Sequence, residues 1–263
     1  MFDCHMHTKL STDSTMNAED ACEAAIELGL KGIAFTDHLD IDFPEGEFLI
    51  DFNQYFSEIA SVREKYQKKI KILNAVEVGI QPHVIVESMQ VINNNPFDYV
   101  LASIHLLEGI DPYKKKYYIG KTRHEAYELY LQNIYFMICN LESFDMVGHF
   151  EYIIRNSSYV DRTLRYADHS DTFDAIMKEL ITQGRGFELN TATYRSEPSD
   201  AQYDFEVLKR YRQLGGELIC LGSDAHTPEH IGMRFDYFAQ MIRDAGFKYT
   251  VHFEKRKPVF DPL

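Results

Sequence analysis

Two short motifs place pairs of metal-binding side chains on one face of a predicted strand. His5 and His7 flank Met6, and because side chains alternate between the two faces of a strand, both imidazoles project the same way. Asp224 and His226 have the same spacing. Imidazole and carboxylate groups together suit zinc, manganese or iron, whereas calcium prefers oxygen ligands almost exclusively. The two motifs therefore predict a site for such a metal.

Further potential ligands stand at or near the ends of other predicted strands. They are Asp13, which follows the first motif in a loop, His38, Glu77, His105 and His149. Taken singly, each histidine is more often structural than metal-binding, and an aspartate in a polar loop such as Asp13 is ordinarily solvated. However, six of the eleven histidines fall at strand ends, and burying so many polar groups at one edge is costly unless they share a partner such as a metal. Nine donors exceed the needs of one tetrahedral zinc ion, so we expect two or three divalent metals with Glu77 as a bridging ligand. The histidines at positions 83, 124, 169, 230 and 252 are interpreted as surface or structural residues.

Short apolar runs alternate with segments of helical periodicity, which is the pattern of βα units around a parallel sheet. The predicted strands cover residues 2–7, 32–36, 70–78, 99–104, 146–149, 186–190 and 217–222. The predicted helices cover residues 16–28, 52–69, 123–140, 171–183, 204–214 and 230–245, with a weaker helical segment after Gln81. Nothing divides the chain into halves, so we predict one α/β domain over residues 1–263. Its candidate ligands would meet at the carboxyl edge of the sheet, where active sites form in such folds, and the longer loops at 39–50, 108–122 and 192–202 are candidates for functional segments.

Composition and charge narrow the expected partners. The formal net charge is −14, and the basic runs at 114–116 and 255–257 are too short to attract a polyphosphate backbone, so no nucleic-acid partner is expected. The sequence has no run of eighteen apolar residues and no signal-peptide pattern at its start, which argues against a membrane partner. The four cysteines form no CxxC pair, and we interpret them as buried thiols of a cytoplasmic protein. Oligomeric state is not indicated.

Two arginines follow predicted strands at the same edge. Arg155 comes soon after His149, and Arg195 follows the strand that ends near Asn190. A guanidinium fork matches the oxygens of a phosphate group, although an arginine in a surface salt bridge is the commoner arrangement. Beside a metal site, these two residues are candidates for binding a phosphorylated substrate.

With these candidate ligands and arginines, the sequence resembles the polymerase and histidinol phosphatase (PHP) family, in particular its bacterial histidinol-phosphatase branch. The matching segments run the length of the chain in the family's order: His5-Met6-His7, Thr36-Asp37-His38, the segment around Glu77, Ser103-Ile104-His105, Val147-Gly148-His149, Phe187 through Arg195, and Gly222-Ser223-Asp224-Ala225-His226. The resemblance implies a distorted (β/α)7 barrel with three metals at its carboxyl face.

The resemblance also implies how the ligands are shared among the metals. One metal would be held by His5, His7, Glu77 and Asp224, a second by Glu77, His105 and His149, and a third by Asp13, His38 and His226. Asp13 stands where many relatives have histidine, so the third site departs from the family's pattern. Arg155 and Arg195 match positions that contact the substrate phosphate in this branch.

The activity implied by the resemblance is hydrolysis of L-histidinol phosphate, a small phosphomonoester, in histidine biosynthesis. A hydroxide bridging two metals would attack phosphorus in line, while the metals and both arginines neutralise charge on the phosphate oxygens. Asp224 and His226 are the candidates for protonating the leaving alkoxide. One alternative is a PHP phosphoesterase that acts on another small phosphomonoester. A second is a metal-binding protein without turnover, although such a protein would have no use for phosphate-binding arginines. A third is an amidohydrolase, but the lysine that usually bridges the metals in that class is missing.

Overall fold

A ring of parallel strands forms the centre of the fold. The structure, a computed structural model, describes residues 1–44, 46, 48–195 and 201–263. Its strands are β1 (Phe2–Met6), β2 (Gly32–Phe35), β3 (His38–Asp40), β4 (Lys71–Gly79), β5 (Tyr99–Ser103), β6 (Met146–Val147), β7 (Gly186–Asn190), β8 (Ile219–Gly222), β9 (Tyr249–Glu254) and β10 (Lys257–Pro262). The ring has the order β1-β2-β4-β5-β6-β7-β8, and β3 also pairs with β4, so β2 and β3 act as two halves of one interrupted strand. The predicted (β/α)7 barrel is confirmed.

Hydrogen bonds between β1 and the segment after β8 nearly close the ring. The amide of Asp224 donates to the carbonyl of His5 over 2.7 Å, and the amide of His7 donates to the carbonyl of Ala225 over 2.9 Å. The two motifs that carry paired candidate ligands therefore lie side by side at the seam of the barrel, although they are more than two hundred residues apart in the chain.

Helices cover the outside of the ring. They are α1 (Ala18–Glu27), α2 (Phe52–Tyr66), α3 (Ile85–Asn94), α4 (Arg123–Asn140), α5 (Ser170–Thr182), α6 (Phe205–Gln213) and α7 (Phe235–Asp244). Their apolar faces pack on the strands in one large core. Local capping fixes where several begin, as where Thr122 and Glu125 form a capping box at the start of α4. Within the described part of the chain, every helix is too short or too polar to cross a membrane.

The hairpin of β9 and β10 covers the amino-terminal end of the barrel. Its strands are antiparallel, and Val251 and Phe253 join Cys4, Tyr99 and Cys220 in an apolar cluster inside the ring. This lower part of the barrel is thus filled by apolar side chains. Polar side chains collect at the opposite, carboxyl end.

Several element ends differ from the sequence prediction. The seventh predicted strand begins at Ile219 rather than at residue 217. The helix predicted over 230–245 begins at Phe235, because Pro228–His230 form a 3-10 turn and Arg234 adopts a φ of 67°. The prediction also lacks β3 and the hairpin of β9 and β10. Residues 45, 47 and 196–200 of the predicted functional loops lie outside the described residues.

The cysteines agree with the prediction in part. Cys4, Cys22 and Cys220 are buried and Cys139 is exposed, and all four are free thiols. Cys139 lies near the end of α4, on the side of the helix away from the barrel, which a count of cysteines cannot reveal.

Candidate active site

The carboxyl end of the barrel opens into a cavity of about 380 Å³. Seven of the nine candidate metal ligands line it, and so do Arg155 and Arg195. The other two candidate ligands, His5 and His7, are fully buried and contact the side chain of Glu77, which lines the cavity. The structure therefore brings all nine candidate ligands and both arginines to one place.

The first donor group lies deepest in the barrel and contains His5, His7, Glu77 and Asp224. The Nε2 atoms of His5 and His7 are 3.0 Å apart, and they lie 3.2 and 3.5 Å from Glu77 Oε2. Asp224 Oδ1 is 3.6 Å from His5 Nε2 and 3.3 Å from His7 Nε2. Ligands bound at about 2.1 Å around one ion are separated by about 3.0–3.4 Å for angles between octahedral and tetrahedral. These four side chains thus have the spacing of a metal coordination sphere.

The second donor group uses the other oxygen of the same glutamate. Glu77 Oε1 lies 3.2 Å from His105 Nε2 and 2.8 Å from His149 Nε2, and the two nitrogens are 3.4 Å apart. Glu77 is 1% exposed and is the side chain that both groups share. Its two oxygens are therefore placed to bridge two ions.

The third donor group lies nearer the solvent. Asp13 Oδ2 is 3.4 Å from His38 Nε2 and 3.1 Å from His226 Nε2. His7 stacks on both rings, with centroid distances of 4.3 Å to His38 and 4.4 Å to His226. Burial and the neighbouring imidazoles lower the pKa of His7 to about 3, so its ring stays neutral and able to bind a metal. The ligand atoms of His7, His38 and His226 lie within 4.8 Å of one another, as do those of His38, Glu77 and His105.

Opposite charges in the site oppose the effect of burial. Burial alone would raise the pKa of Glu77, but His5 and His105 hold it well below its usual range. Arg155 and His5 do the same for the pKa of Asp224. Burial would lower the pKa of His105, yet the neighbouring carboxylates raise it to about 10. The ionised carboxylates thus hold protons on imidazoles at neutral pH, and the same field attracts metal cations.

Two carboxylates behind the candidate ligands were not predicted from the sequence. Glu188 Oε1 accepts a hydrogen bond from His5 Nδ1 over 2.7 Å, and Asp40 Oδ1 accepts one from His105 Nδ1 over 2.6 Å. Such contacts keep a proton on Nδ1, so that Nε2 is the nitrogen that binds a metal once it has lost its own proton. A signal for Glu188 was available, because it interrupts a buried apolar strand just as Glu77 does.

Glycines leave room for these two carboxylates. A Cβ atom on Gly222 would lie 1.8 Å from Glu188 Oε1, and one on Gly79 would lie 1.7 Å from Asp40 Oδ1. Both glycines stand at the ends of strands in the ring. A side chain at either position would displace the group that orients a candidate ligand.

The two predicted arginines converge on Asp224. Arg155 Nη2 donates to Asp224 Oδ2 over 2.5 Å and to Asn190 Oδ1 over 3.1 Å. Arg195 Nη2 donates to the carbonyl oxygens of Ser223 and Asp224. The buried Nε of Arg195 has no hydrogen-bond partner among the described residues. Guanidinium groups therefore stand directly beside the first donor group.

Comparison with known proteins identifies the family. The model of the PHP domain matches residues 3–192. The chain belongs to the PHP-domain family. A probable histidinol-phosphatase of Clostridium acetobutylicum is 35% identical, with 97% of this chain and 98% of the relative covered. The histidinol-phosphatase of Lactococcus lactis is 30% identical over 97% of this chain and 95% of its own length.

Two solved structures have the same barrel. The structure of histidinol phosphate phosphatase from Lactococcus lactis, complexed with zinc, L-histidinol and phosphate, matches with a TM-score of 0.93 and 30% identity over 98% of both chains. A putative histidinol phosphatase from Listeria monocytogenes matches with a TM-score of 0.79 at 18% identity, which supports the fold. The match to the PHP model ends at residue 192, yet Arg195, Asp224 and His226 lie beyond it and complete the cavity.

Proposed function

We propose that this PHP protein hydrolyses L-histidinol phosphate to L-histidinol and phosphate. The observation that carries the proposal is the contact of Arg155 with Asp224, since it brings a guanidinium group, of a kind that suits phosphate oxygens, within 2.5 Å of a candidate metal ligand. Near-full-length relatives named histidinol-phosphatase support the choice of substrate. So does the similarity to the Lactococcus protein, whose structure holds L-histidinol and phosphate.

The donor groups fit two or three divalent metal ions. We propose the ligand sets His5, His7, Glu77 and Asp224; Glu77, His105 and His149; and Asp13, His38 and His226. Mixed imidazole and carboxylate donors suit zinc, manganese or iron, and zinc is the metal of the Lactococcus structure. When bound, such ions lower the pKa of water to about 7 and stabilise negative charge on a phosphoryl group.

The protein's own residues would orient the ester and move protons. Arg155 and Arg195 both line the cavity, and their guanidinium groups would donate to phosphate oxygens and align the phosphorus with the donor groups. Arg155 and His5 hold the pKa of Asp224 well below its usual range, so this carboxylate stays ionised, has no proton to give to the leaving alkoxide, and would serve as a metal ligand. Burial would lower the pKa of His226, but Asp13 and Asp224 raise it, and this imidazole is our candidate for protonating the leaving alkoxide when its Nε2 is free.

Two further proposals concern the setting of the reaction. Because Arg195, Asp224 and His226 come from beyond the matched PHP segment and share its cavity, we propose that residues 1–263 act as one domain. A histidinol-phosphate phosphatase belongs to histidine biosynthesis, and four free thiols are consistent with the reducing cytoplasm.

The test is phosphate release from L-histidinol phosphate and from a panel of other small phosphomonoesters. The protein is freed of metal and reconstituted with zinc, manganese or iron, and Asp224→Asn serves as the inactive control. We expect a rate on L-histidinol phosphate far above the panel and its loss in the control. Equal rates across the panel would indicate a PHP phosphoesterase with another substrate, and no release with any metal would contradict an enzymatic function.

A further inference from the structure

One carboxylate in the cavity is not paired with a cationic group. Among the described residues, the carboxylates that line the cavity are Asp13, Asp40, Glu77, Asp111 and Asp224. Four of them contact histidines or Arg155 and belong to the donor groups or their supports. Asp111 instead accepts hydrogen bonds from two neutral donors, the hydroxyl of Tyr152 over 2.9 Å and the amide of Tyr113 over 2.7 Å. Its negative charge is therefore available to a ligand.

Tyr152 connects Asp111 to the phosphate side of the cavity. Its ring lies 5.1 Å from the guanidinium carbon of Arg155 and 5.0 Å from the ring of His149, and its hydroxyl reaches Asp111. Tyr152 therefore lies between Asp111 and the groups that would hold the phosphoryl group. Both of its hydrogen bonds use Oδ1, which fixes the carboxylate and leaves Oδ2 to accept another donor.

The substrate of the proposed reaction carries a matching charge. In L-histidinol phosphate, the phosphate ester is on a CH₂ group, the next carbon carries an ammonium group, and an imidazole ring lies beyond it. Phe43, Phe48 and Tyr113 line the same cavity and offer aromatic surface to that planar ring. Asp111 is half-buried, so a charge-assisted hydrogen bond to it is screened less than one at an open surface.

We propose that Asp111 is a specificity-determining residue that binds the ammonium group of the substrate and thereby selects amino-alcohol phosphates over uncharged alkyl phosphates. The inference rests on the proposed function, because it assigns one end of the substrate of that reaction.

The experiment compares two esters and three proteins. The esters are L-histidinol phosphate and its analogue in which hydrogen replaces the amino group. The proteins are the wild type, Asp111→Asn, and Asp236→Asn, which removes one negative charge from the exposed first turn of α7. We expect Asp111→Asn to lower kcat/KM for L-histidinol phosphate by about 10- to 100-fold, as for the loss of one charge-assisted hydrogen bond, and to leave kcat/KM for the deaminated ester within about twofold. Asp236→Asn should match the wild type on both.

A binding measurement adds a readout that does not depend on turnover. In calorimetric titrations, the product L-histidinol should bind Asp111→Asn more weakly than the wild type, while the dissociation constant of inorganic phosphate stays the same. Equal losses on both esters, or no loss on either, would overturn the role of Asp111 while leaving the proposed function in place. A wild type that is no faster on L-histidinol phosphate than on other phosphomonoesters would overturn both proposals.

Discussion

Replacing Glu188 by glutamine should weaken metal binding, although Glu188 is not itself a candidate ligand. Glu188 is fully buried, and its Oε1 accepts a hydrogen bond from His5 Nδ1 over 2.7 Å. Its Oε2 accepts from the amide of His149 and from Asn190 Nδ2, each over 3.1 Å. The carboxylate thus satisfies three donors at once and fixes the tautomer of His5 that exposes Nε2.

A glutamine cannot satisfy the same three donors in either orientation of its amide. With its oxygen toward His5, its NH₂ group faces the donors of His149 and Asn190. With its NH₂ group toward His5, the imidazole must accept at Nδ1 and carry its proton on Nε2, where it no longer binds a metal. Loss of such a supporting carboxylate costs about 10- to 100-fold in metal affinity, or about 1.4–2.7 kcal/mol.

Calorimetric titration of zinc into metal-free protein measures this loss directly. Glu27→Gln is the matched control, since it makes the same chemical change at an exposed position at the end of α1. We expect the tightest binding step to weaken in Glu188→Gln and to stay unchanged in Glu27→Gln. If Glu188→Gln binds the same number of zinc ions with wild-type affinity and folds normally, the orienting role assigned to Glu188 is wrong.

Three further predictions follow from the site. The pKa of His105 is raised to about 10, so its ring is protonated at pH 7.5 when no metal is bound. Zinc binding should therefore release protons, and the zinc affinity should increase as the pH rises toward 10. Calorimetric titration in buffers of different ionisation enthalpy measures the proton release, and an enthalpy of binding that is the same in all of them would contradict the prediction. Gly222→Ala should destabilise the fold by about 1–3 kcal/mol in chemical denaturation and weaken zinc binding, because its Cβ would lie 1.8 Å from Glu188 Oε1; unchanged values for both would refute the close fit. Arg155→Lys keeps the charge but loses the planar guanidinium, whose Nη2 donates to both Asn190 and Asp224 and whose Nε donates to Thr193, so kcat/KM for the phosphate ester should fall by about 10- to 100-fold in steady-state assays. An unchanged value would exclude phosphate binding by this residue.

The ring of strands could be predicted because its strands are buried on both sides and appear as short apolar runs. The hairpin of β9 and β10 could not be predicted, because its strands do not join the ring and most residues of β10 are exposed, so β10 has no apolar run. β3 is three residues long, which is too short for any periodicity. The sequence prediction began α7 too early because the chain turns at Arg234, which adopts a positive φ. Arginine rarely adopts such a φ, so the turn could not be predicted from the residue type.

The convergence of the candidate ligands could be expected from strand alternation and the carboxyl edge, but their supports could not. His5 and His7 share a face in any regular strand. The structure adds an irregularity in the pairing of β1 with β2 between Asp3 and Met6, which lets the buried Cys4 and His5 both belong to the barrel interior. Such an irregularity depends on the partner strand and leaves no pattern in the sequence of β1.

The supporting carboxylates and the glycines have to be considered together. Asp40 approaches His105 across Gly79, just as Glu188 approaches His5 across Gly222, so each orienting group occupies the space where a neighbouring strand lacks a side chain. In the sequence, the glycine and the carboxylate of each pair lie more than thirty residues apart, and neither has a special local pattern. The ligands can be recognised from their own chemistry, whereas their orientation depends on a gap in another strand, and only the assembled barrel brings the two together.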